Sequence, residues 1–355
     1  MEKSIKKLLE KIVHPESGEN IVEAGIVESV KADDEKITVT LAFAKSRDPF
    51  AAKIKRQVQE AVGQAYPTAA VTVVIREAAP RQVQPQQQYT TTGDIKHIVA
   101  VASGKGGVGK STVTANLAVA LRKMGYSVGV LDADIYGPSQ PNMFGVEGYV
   151  PDAVEDEQGH TLIVPAVAEG EAEGIEVMSI GFFIKPTDAL MWRGAMAVNA
   201  LKQMIHQTAW GGLDFLLADL PPGTGDIHLS IIQELRIDAA VIVSTPQQIA
   251  VADVVRGVEM FRHPQVAVPV AGIVENMAWF TPEELPDNRY YIFGRGGAAE
   301  YAARNGIELL GQIPLIQSVM EGSENGRPAA GYDRRAEEYY AHAARRMVDK
   351  VSKKC

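Results

Sequence analysis

The stretch VASGKGGVGKST, residues 101–112, decides how the rest of the chain is read. From Gly104 to Ser111 it matches G-x-x-x-x-G-K-[ST], with Lys105, Gly106, Gly107, Val108, Gly109 and Lys110 between. Glycines let a backbone wrap a phosphate, and the amides at the following helix start bind its charge. In that role Lys110 reaches the β- and γ-phosphates, Ser111 ligates Mg²⁺, and Thr112 completes the phosphate-binding set. The context fits: the apolar run HIVAVAS (97–103) precedes the loop and TVTANLAVALRKMG (112–125) follows it, with Val113, Leu117, Leu121 and Met124 on one helical stripe. Lys105 is a second cation that a phosphate turn does not need. It is either a solvated side chain or an extra charge aimed at a transferring phosphate, as an arginine finger is. From its place in the loop it can cross to a nucleotide held by a second subunit, and a dimer is then required.

Outward from the loop, short apolar runs recur at SVGVLDA (127–133), FLLADL (215–220), AAVIVST (239–245) and VAGIVEN (270–276). Such runs suit strands buried on both faces of a parallel sheet. With helical stretches between several of them, residues 95–355 read as an α/β domain with a doubly wound, mainly parallel sheet. Before it, residues 1–79 read as a small α+β domain. It has helices over 4–13 and 51–66, a strand over 36–43 with Ile37, Val39 and Leu41 on one face, and a second strand over 70–75. PRQVQPQQQYTTTGD (80–94) carries Pro, Gln and Thr with almost no core-forming residues, and is expected to be the linker.

Two carboxylates stand at strand ends where open α/β sheets bind ligands. LDADIYGPS (131–139) offers Asp132 and Asp134. One acid there can position or deprotonate an attacking water and the other can support a metal shell. Asp134 is the better placed for the water because it lies further out of the strand; capping of a helix is the alternative for both. DFLLADLPPGTGD (214–226) ends its apolar strand in Asp219, a Walker-B arrangement for Mg²⁺, and PPGTGD suits a switch that senses the γ-phosphate.

The 355 residues carry net charge −9, while residues 2–77 balance twelve acids with twelve bases, so the acidity lies further on. An acidic chain is a poor sequence-independent nucleic-acid binder, and no nucleic-acid partner is expected. The segment 152–176 has eight acids and no Lys or Arg, and reads as a solvated hairpin or insertion. MEKSIKKLLEKIV is charged throughout, unlike a secretory signal, and no apolar run reaches membrane-spanning length. A cytoplasmic protein without membrane insertion is expected. The seven histidines form no H-x-x-x-H or H-x-H pair, so a preformed zinc site is not expected. Trp192 and Arg193 suit packing or a dimer contact. RRAEEYYAHAARRMVDKVSKKC (334–355) is an amphipathic helix expected to dock on its own domain rather than on a membrane.

Taken together, these residues resemble the deviant Walker-A ATPases, the group of MinD, ParA, ArsA and nitrogenase iron protein, whose signature is the early lysine, here Lys105. Within it, GKGGVGKST, LDADIYGPSQPNMFG, DLPPGTGD, ENMAWF and YYIFGRGG are similar to the Mrp/ApbC iron–sulfur cluster carriers. HPESGENIVEAGIV and KITVTL in the first 78 residues resemble the small domain of iron–sulfur assembly factors. The resemblance implies a homodimeric, Mg²⁺-dependent, slow ATPase that serves iron–sulfur apo-proteins or assembly factors. It implies that Lys105 contacts the partner subunit's nucleotide, that Asp134 assists the water and Asp219 the magnesium, and that Asn276 recognises adenine with Pro314 lining the base pocket. It also implies a C-x-x-C after ENM-x-x-F, where two subunits share an iron–sulfur cluster. The chain departs there: Thr281, Pro282, Glu283 and Glu284 occupy the segment, and the single cysteine is Cys355. No iron–sulfur ligand is identifiable, since clusters are held by thiolates, typically four. The other activities compatible with the sequence are a MinD/ParA-like positioning switch and an ATP-gated scaffold.

Overall fold

The computed structural model describes residues 2–9, 11–12, 20–22, 26–32, 36–43, 50–67, 69–77, 94–183 and 194–352. Most of the 80–94 stretch, Trp192, Arg193 and Cys355 lie outside the described residues. The chain divides into two compact units, Met1–Gln88 and Tyr89–Cys355.

The first unit has helix α1 (Glu2–Leu9), strands β1 (Val27–Ala32) and β2 (Lys36–Phe43), helix α2 (Ala51–Ala65) and strand β3 (Ala70–Glu77). The sheet order is β1-β2-β3, with β1 antiparallel and β3 parallel to β2. A parallel pair needs a long crossover, and α2 supplies it. Ile37, Val39 and Leu41 of β2 turn inward as their alternation requires, against Ile54, Val58 and Val62 of α2 and Ile5 and Leu9 of α1. Strand β1 was not foreseen: in VESVKA only Val30 is buried, so composition does not announce it.

The second unit runs β4 (His97–Ala102), α3 (Lys110–Lys123), β5 (Val128–Asp132), α4 (Gln140–Met143), a hairpin of β6 (Ala153–Glu155) and β7 (Thr161–Ile163), then β8 (Ala166–Val167) and β9 (Glu176–Ser179). It continues through α5 (Gly194–Gln207), β10 (Phe215–Asp219), α6 (Asp226–Glu234), β11 (Ala239–Ser244), α7 (Gln248–Arg262), β12 (Val270–Phe280), α8 (Gly297–Arg304), β13 (Leu309–Leu315), α9 (Gln317–Glu324) and α10 (Arg334–Ser352). Eight strands form one sheet in the order β13-β12-β11-β4-β10-β5-β9-β8, parallel throughout except for β8 against β9. The chain winds from β4 first toward β5 and later toward β11, so the order reverses at β4, where such sheets bind ligands.

Every residue of β5, β10 and β11 is buried, as the unbroken apolar runs required. Alternate residues feed two cores. Val99, Val101, Val130 and Leu217 pack beneath α3 and α10, while Ile98, Ala100, Leu131 and Leu216 pack against residues of α5, α6 and α7. Helix α3 is enclosed beyond its expected stripe, with all residues from Val113 to Leu121 buried, because α10 covers it from outside. The face of α10 formed by Ala336, Tyr340, Ala343, Ala344, Met347 and Val351 is buried in that core. The acidic segment is half as expected: β6 is fully exposed, but Ala166–Ser179 adds two strands to the main sheet because Ala166, Val177 and Met178 have a core to enter. Among the described residues no helix is long and apolar enough to cross a membrane.

Candidate functional site

The 103–109 loop leaves β4 at the point where the sheet order reverses, and α3 starts at Lys110. Gly107 and Gly109 have φ of +79° and +80°, a region open to glycine at little cost. Two glycines are also forced by close approach. A Cβ on Gly104 would drive into the backbone carbonyl of Asp253 on α7, and one on Gly109 into the side-chain amide of Asn276. Val108 is buried and anchors the loop in the core beneath α3.

Beneath the loop a buried polar network ties three segments together. Lys110 Nζ lies 2.5 Å from Asp219 Oδ1 and 3.2 Å from Ser111 Oγ. Thr114 donates to the same Asp219 oxygen at 3.2 Å. Asp219 Oδ2 accepts from Gln140 Nε2 at 2.8 Å, and the same amide nitrogen donates to the Ser111 carbonyl at 3.1 Å. Asp219 and Gln140 have no exposed surface and Lys110 only 6%.

The two acids at the end of β5, Asp132 within it and Asp134 just past it, divide their work. Asp132 is fully buried and accepts from the backbone amides of Asp134, Ser139 and Gln140 and from the Ser179 hydroxyl. Burial, then the nearby Asp219 charge, pushes its pKa up to about 7. It clamps the 132–140 loop. Asp134 holds the amides of Tyr136 and Gly137 on Oδ1 alone, at 3.2 and 3.3 Å. Burial raises its pKa, opposed by the Lys110 charge, which makes its carboxylate a stronger base than usual. The Gly223 amide donates to the Ser103 carbonyl, which ties the segment after Asp219 to the start of the phosphate loop.

The remaining expected residues are placed as follows. Lys105 is half-buried, and its Nζ lies 3.4 Å from Gln247 Oε1 at the start of α7 in the same chain. Asn276 reaches the loop from β12, donating its amide to the Val108 carbonyl at 2.9 Å. Met277 follows with φ of +55° and the β12–β13 register shifts there, a bulge that turns the Asn276 side chain to the loop. Pro314 lies one residue past Ile313, the register partner of Asn276, at the same end of the sheet. Thr112 is on the first turn of α3, its carbonyl accepting from Asn116.

Two residues of the site escaped the sequence reading. Gln140 lies within LDADIYGPSQPNMFG, and nothing in its spacing marks a role. His228, just past PPGTGD, donates from Nε2 to the Pro221 carbonyl at 2.6 Å, and burial followed by Lys110 holds its pKa below the usual value. A carbonyl only accepts, so Nε2 carries the proton. The available signal is a polar side chain two residues past the glycine-rich PPGTGD segment.

A phosphate loop at the reversal point of a doubly wound sheet, with a lysine and a strand-end carboxylate joined beneath it, defines the class of P-loop NTPases. The family described as NUBPL iron-transfer P-loop NTPase matches residues 94–352, and the iron-sulfur cluster assembly protein family matches residues 2–75. The chain belongs to the NUBPL iron-transfer P-loop NTPase family, with an iron-sulfur cluster assembly domain ahead of it. It is 38% identical over 326 residues to the iron-sulfur cluster carrier protein of Synechocystis sp., covering 92% of this chain and 90% of that one. It is 47% identical over 247 residues to the iron-sulfur cluster carrier protein of Aquifex aeolicus, covering 69% of this chain and 65% of that relative's length. Among solved structures, a nucleotide-binding protein of Archaeoglobus fulgidus in complex with ADP superposes with a TM-score of 0.60 at 39% identity, over 70% of this chain and 94% of that one.

Proposed function

We propose that this protein is a homodimeric, slow, Mg²⁺-dependent ATPase that acts in iron–sulfur cluster carriage and assembly in the cytoplasm, serving apo-proteins or assembly factors. The observation that carries the reading is the buried Lys110–Asp219 pair under a complete phosphate loop. Support comes from the family, from relatives that are iron-sulfur cluster carrier proteins, and from the ADP complex of the Archaeoglobus fulgidus protein.

In this reading, the amides of Gly104 to Thr112 and the Lys110 ammonium hold the nucleotide phosphates. The base lies by Asn276 and Pro314. With its nitrogen committed to Val108, Asn276 keeps Oδ1 to accept from adenine's amino group. Asp134 Oδ2 takes the proton of a water as its oxygen attacks the γ-phosphorus and the bond to the β-bridging oxygen breaks, giving ADP and phosphate. One assisting carboxylate without a stronger activator makes for slow turnover. Lys105 supplies charge to the nucleotide of the other subunit, on which the need for a dimer rests.

The Ser111 hydroxyl and Asp219 fit a magnesium ion, which takes hard oxygen donors and keeps several waters. Gln140 Oε1 beside them is a buried acceptor with no partner among the described residues, which suits a hydrated ion. When bound, the ion offsets charge that develops on the phosphates.

The cargo chemistry is constrained separately. Cluster iron is held by thiolates, typically four, and the sequence contains one cysteine, Cys355. Thr281–Glu284, where the resemblance puts a C-x-x-C, border a groove with Glu321 and Asp333 whose lining mixes carboxylates with apolar residues and includes no cysteine. We infer that most cluster ligands come from the assembly partner or client and that this chain supplies the nucleotide cycle. Anaerobic incubation with iron and sulfide, with and without candidate partners and ATP, tests this. ATP-stimulated transfer of a cluster to an apo-protein is expected in the presence of a partner. Absence of transfer under every condition, with ATP hydrolysis intact, removes the carrier role and keeps the ATPase.

A further inference from the structure

We propose that Gln140 positions the metal of the nucleotide site, its side-chain oxygen accepting a hydrogen bond from a water in the ion's shell. The inference rests on the reading of Ser111 and Asp219 as the magnesium-holding pair and adds a residue to it.

The Gln140 side chain has no exposed surface. Its Nε2 donates to Asp219 Oδ2 at 2.8 Å and to the Ser111 carbonyl at 3.1 Å. Both partners can only accept, so the amide cannot be flipped without setting its oxygen against a carboxylate and a carbonyl. The backbone is fixed as well, because Asp132 Oδ2 accepts the Gln140 amide at 3.0 Å. One side chain thus joins the loop after β5, the end of β10 and the first turn of α3, which carry the three residue sets of the site.

Oε1 is what remains. It is buried and has no hydrogen-bond partner among the described residues. Burying an amide oxygen with no donor is unfavourable, and a leucine or methionine would fill this volume without that cost. The nitrogen and oxygen share one carbon, so the unpaired oxygen stays within the width of one amide group of the nitrogen that binds Asp219 Oδ2 and the Ser111 carbonyl. A buried acceptor at that point suits a donor that arrives with the ligand. A magnesium ion brings donors of that kind, the waters it retains. Asp219 explains why an amide is used: its Oδ1 is taken by Lys110 and Thr114, and a third carboxylate there would add repulsion to the Asp132–Asp219 pair.

The test uses Mn²⁺ in place of Mg²⁺ on the full-length chain with ADP. Free Mn²⁺ is followed by electron paramagnetic resonance, and fluorescent ADP is titrated in EDTA for metal-free affinity. Gln140→Met keeps volume and removes both amide atoms. Gln140→Asn keeps the amide and shortens its reach, and decides the matter if the Met variant does not fold. Either variant, folded by circular dichroism, is expected to hold Mn²⁺ at least tenfold more weakly, as loss of a residue that holds a metal's ligand in place does, with metal-free ADP affinity within twofold. Mn²⁺ affinity within twofold of the unaltered chain, or an equal loss of metal-free ADP affinity, overturns the proposal. If the unaltered chain shows no ADP-dependent Mn²⁺ binding, the metal reading itself fails and takes this inference with it, an outcome visible before any variant is made.

Discussion

Because Lys110 Nζ lies 2.5 Å from Asp219 inside the core, replacing it removes two things at once. Lys110→Ala takes away the phosphate's cation and strands a buried carboxylate, a defect that costs about 3–5 kcal/mol where a buried pair is broken. Lys105 is half-buried, and among the described residues its ammonium makes only a long contact to Gln247, so Lys105→Ala is expected to leave the fold intact. Both variants are expected to lose hydrolysis. The Ala variant at 110 also loses nucleotide affinity and melts earlier, while the one at 105 keeps its melting temperature and most of its ADP affinity. A Lys105→Ala chain that hydrolyses ATP at the normal rate refutes the role of that lysine across the dimer. Gly104 gives a second residue-scale test, since any side chain there meets the Asp253 carbonyl. Gly104→Ala is expected to weaken nucleotide binding by tenfold or more, read by equilibrium titration, because the loop must shift to make room.

At the scale of elements, Asp214 staples three adjacent strands at the end opposite the site. It accepts from Lys96 Nζ at 2.7 Å, just before β4, and from the Ser127 amide and hydroxyl, just before β5, while β10 starts one residue on. The Lys96 contact first, and then the Ser127 amide, hold its pKa down at about 2. A carboxylate depressed in the fold stabilises it above the unfolded pKa and loses that contribution as pH falls through the folded one. Asp214→Asn is therefore expected to destabilise by about 1–2 kcal/mol near neutral pH, discounted for the exposed Lys96, and the gap to the unaltered chain should close between about pH 4 and pH 2. Thermal melts across that range decide it, and a gap that does not depend on pH counts against the charge argument. Elements also show what a sequence reveals. β5, β10 and β11 were legible because strands buried on both faces leave unbroken apolar runs. β8 and β9 were not, since two and four residues within an acidic stretch become strands only through pairing with a neighbour. The loop, Lys110, Asp134 and Asp219 were legible through motif and strand end. Gln140 was not, because its partners lie 29 and 79 residues away and only the folded sheet brings them together.

For the whole molecule, the two units each contain a complete core. Among the described residues, the core of the first unit draws on residues between Ile5 and Val73, and the core on the two faces of the second unit's sheet draws on residues between Ile95 and Val351. A chain that begins at Tyr89 is expected to fold and to bind nucleotide as the full protein does, with ADP affinity within threefold by titration. A chain of Met1 to Gln88 is expected to fold without it. Failure of the larger piece to bind ADP would mean that the first unit contributes to the site itself. The sheet of the larger unit ends in β13, the strand that carries Pro314. A proline lacks the amide that an incoming strand must find, and sheets commonly guard their open ends with one. The residue proposed for the base pocket also removes one amide from that edge strand, so Pro314→Val, which restores it, is expected to show first as turbidity in a concentrated sample rather than as a slower reaction.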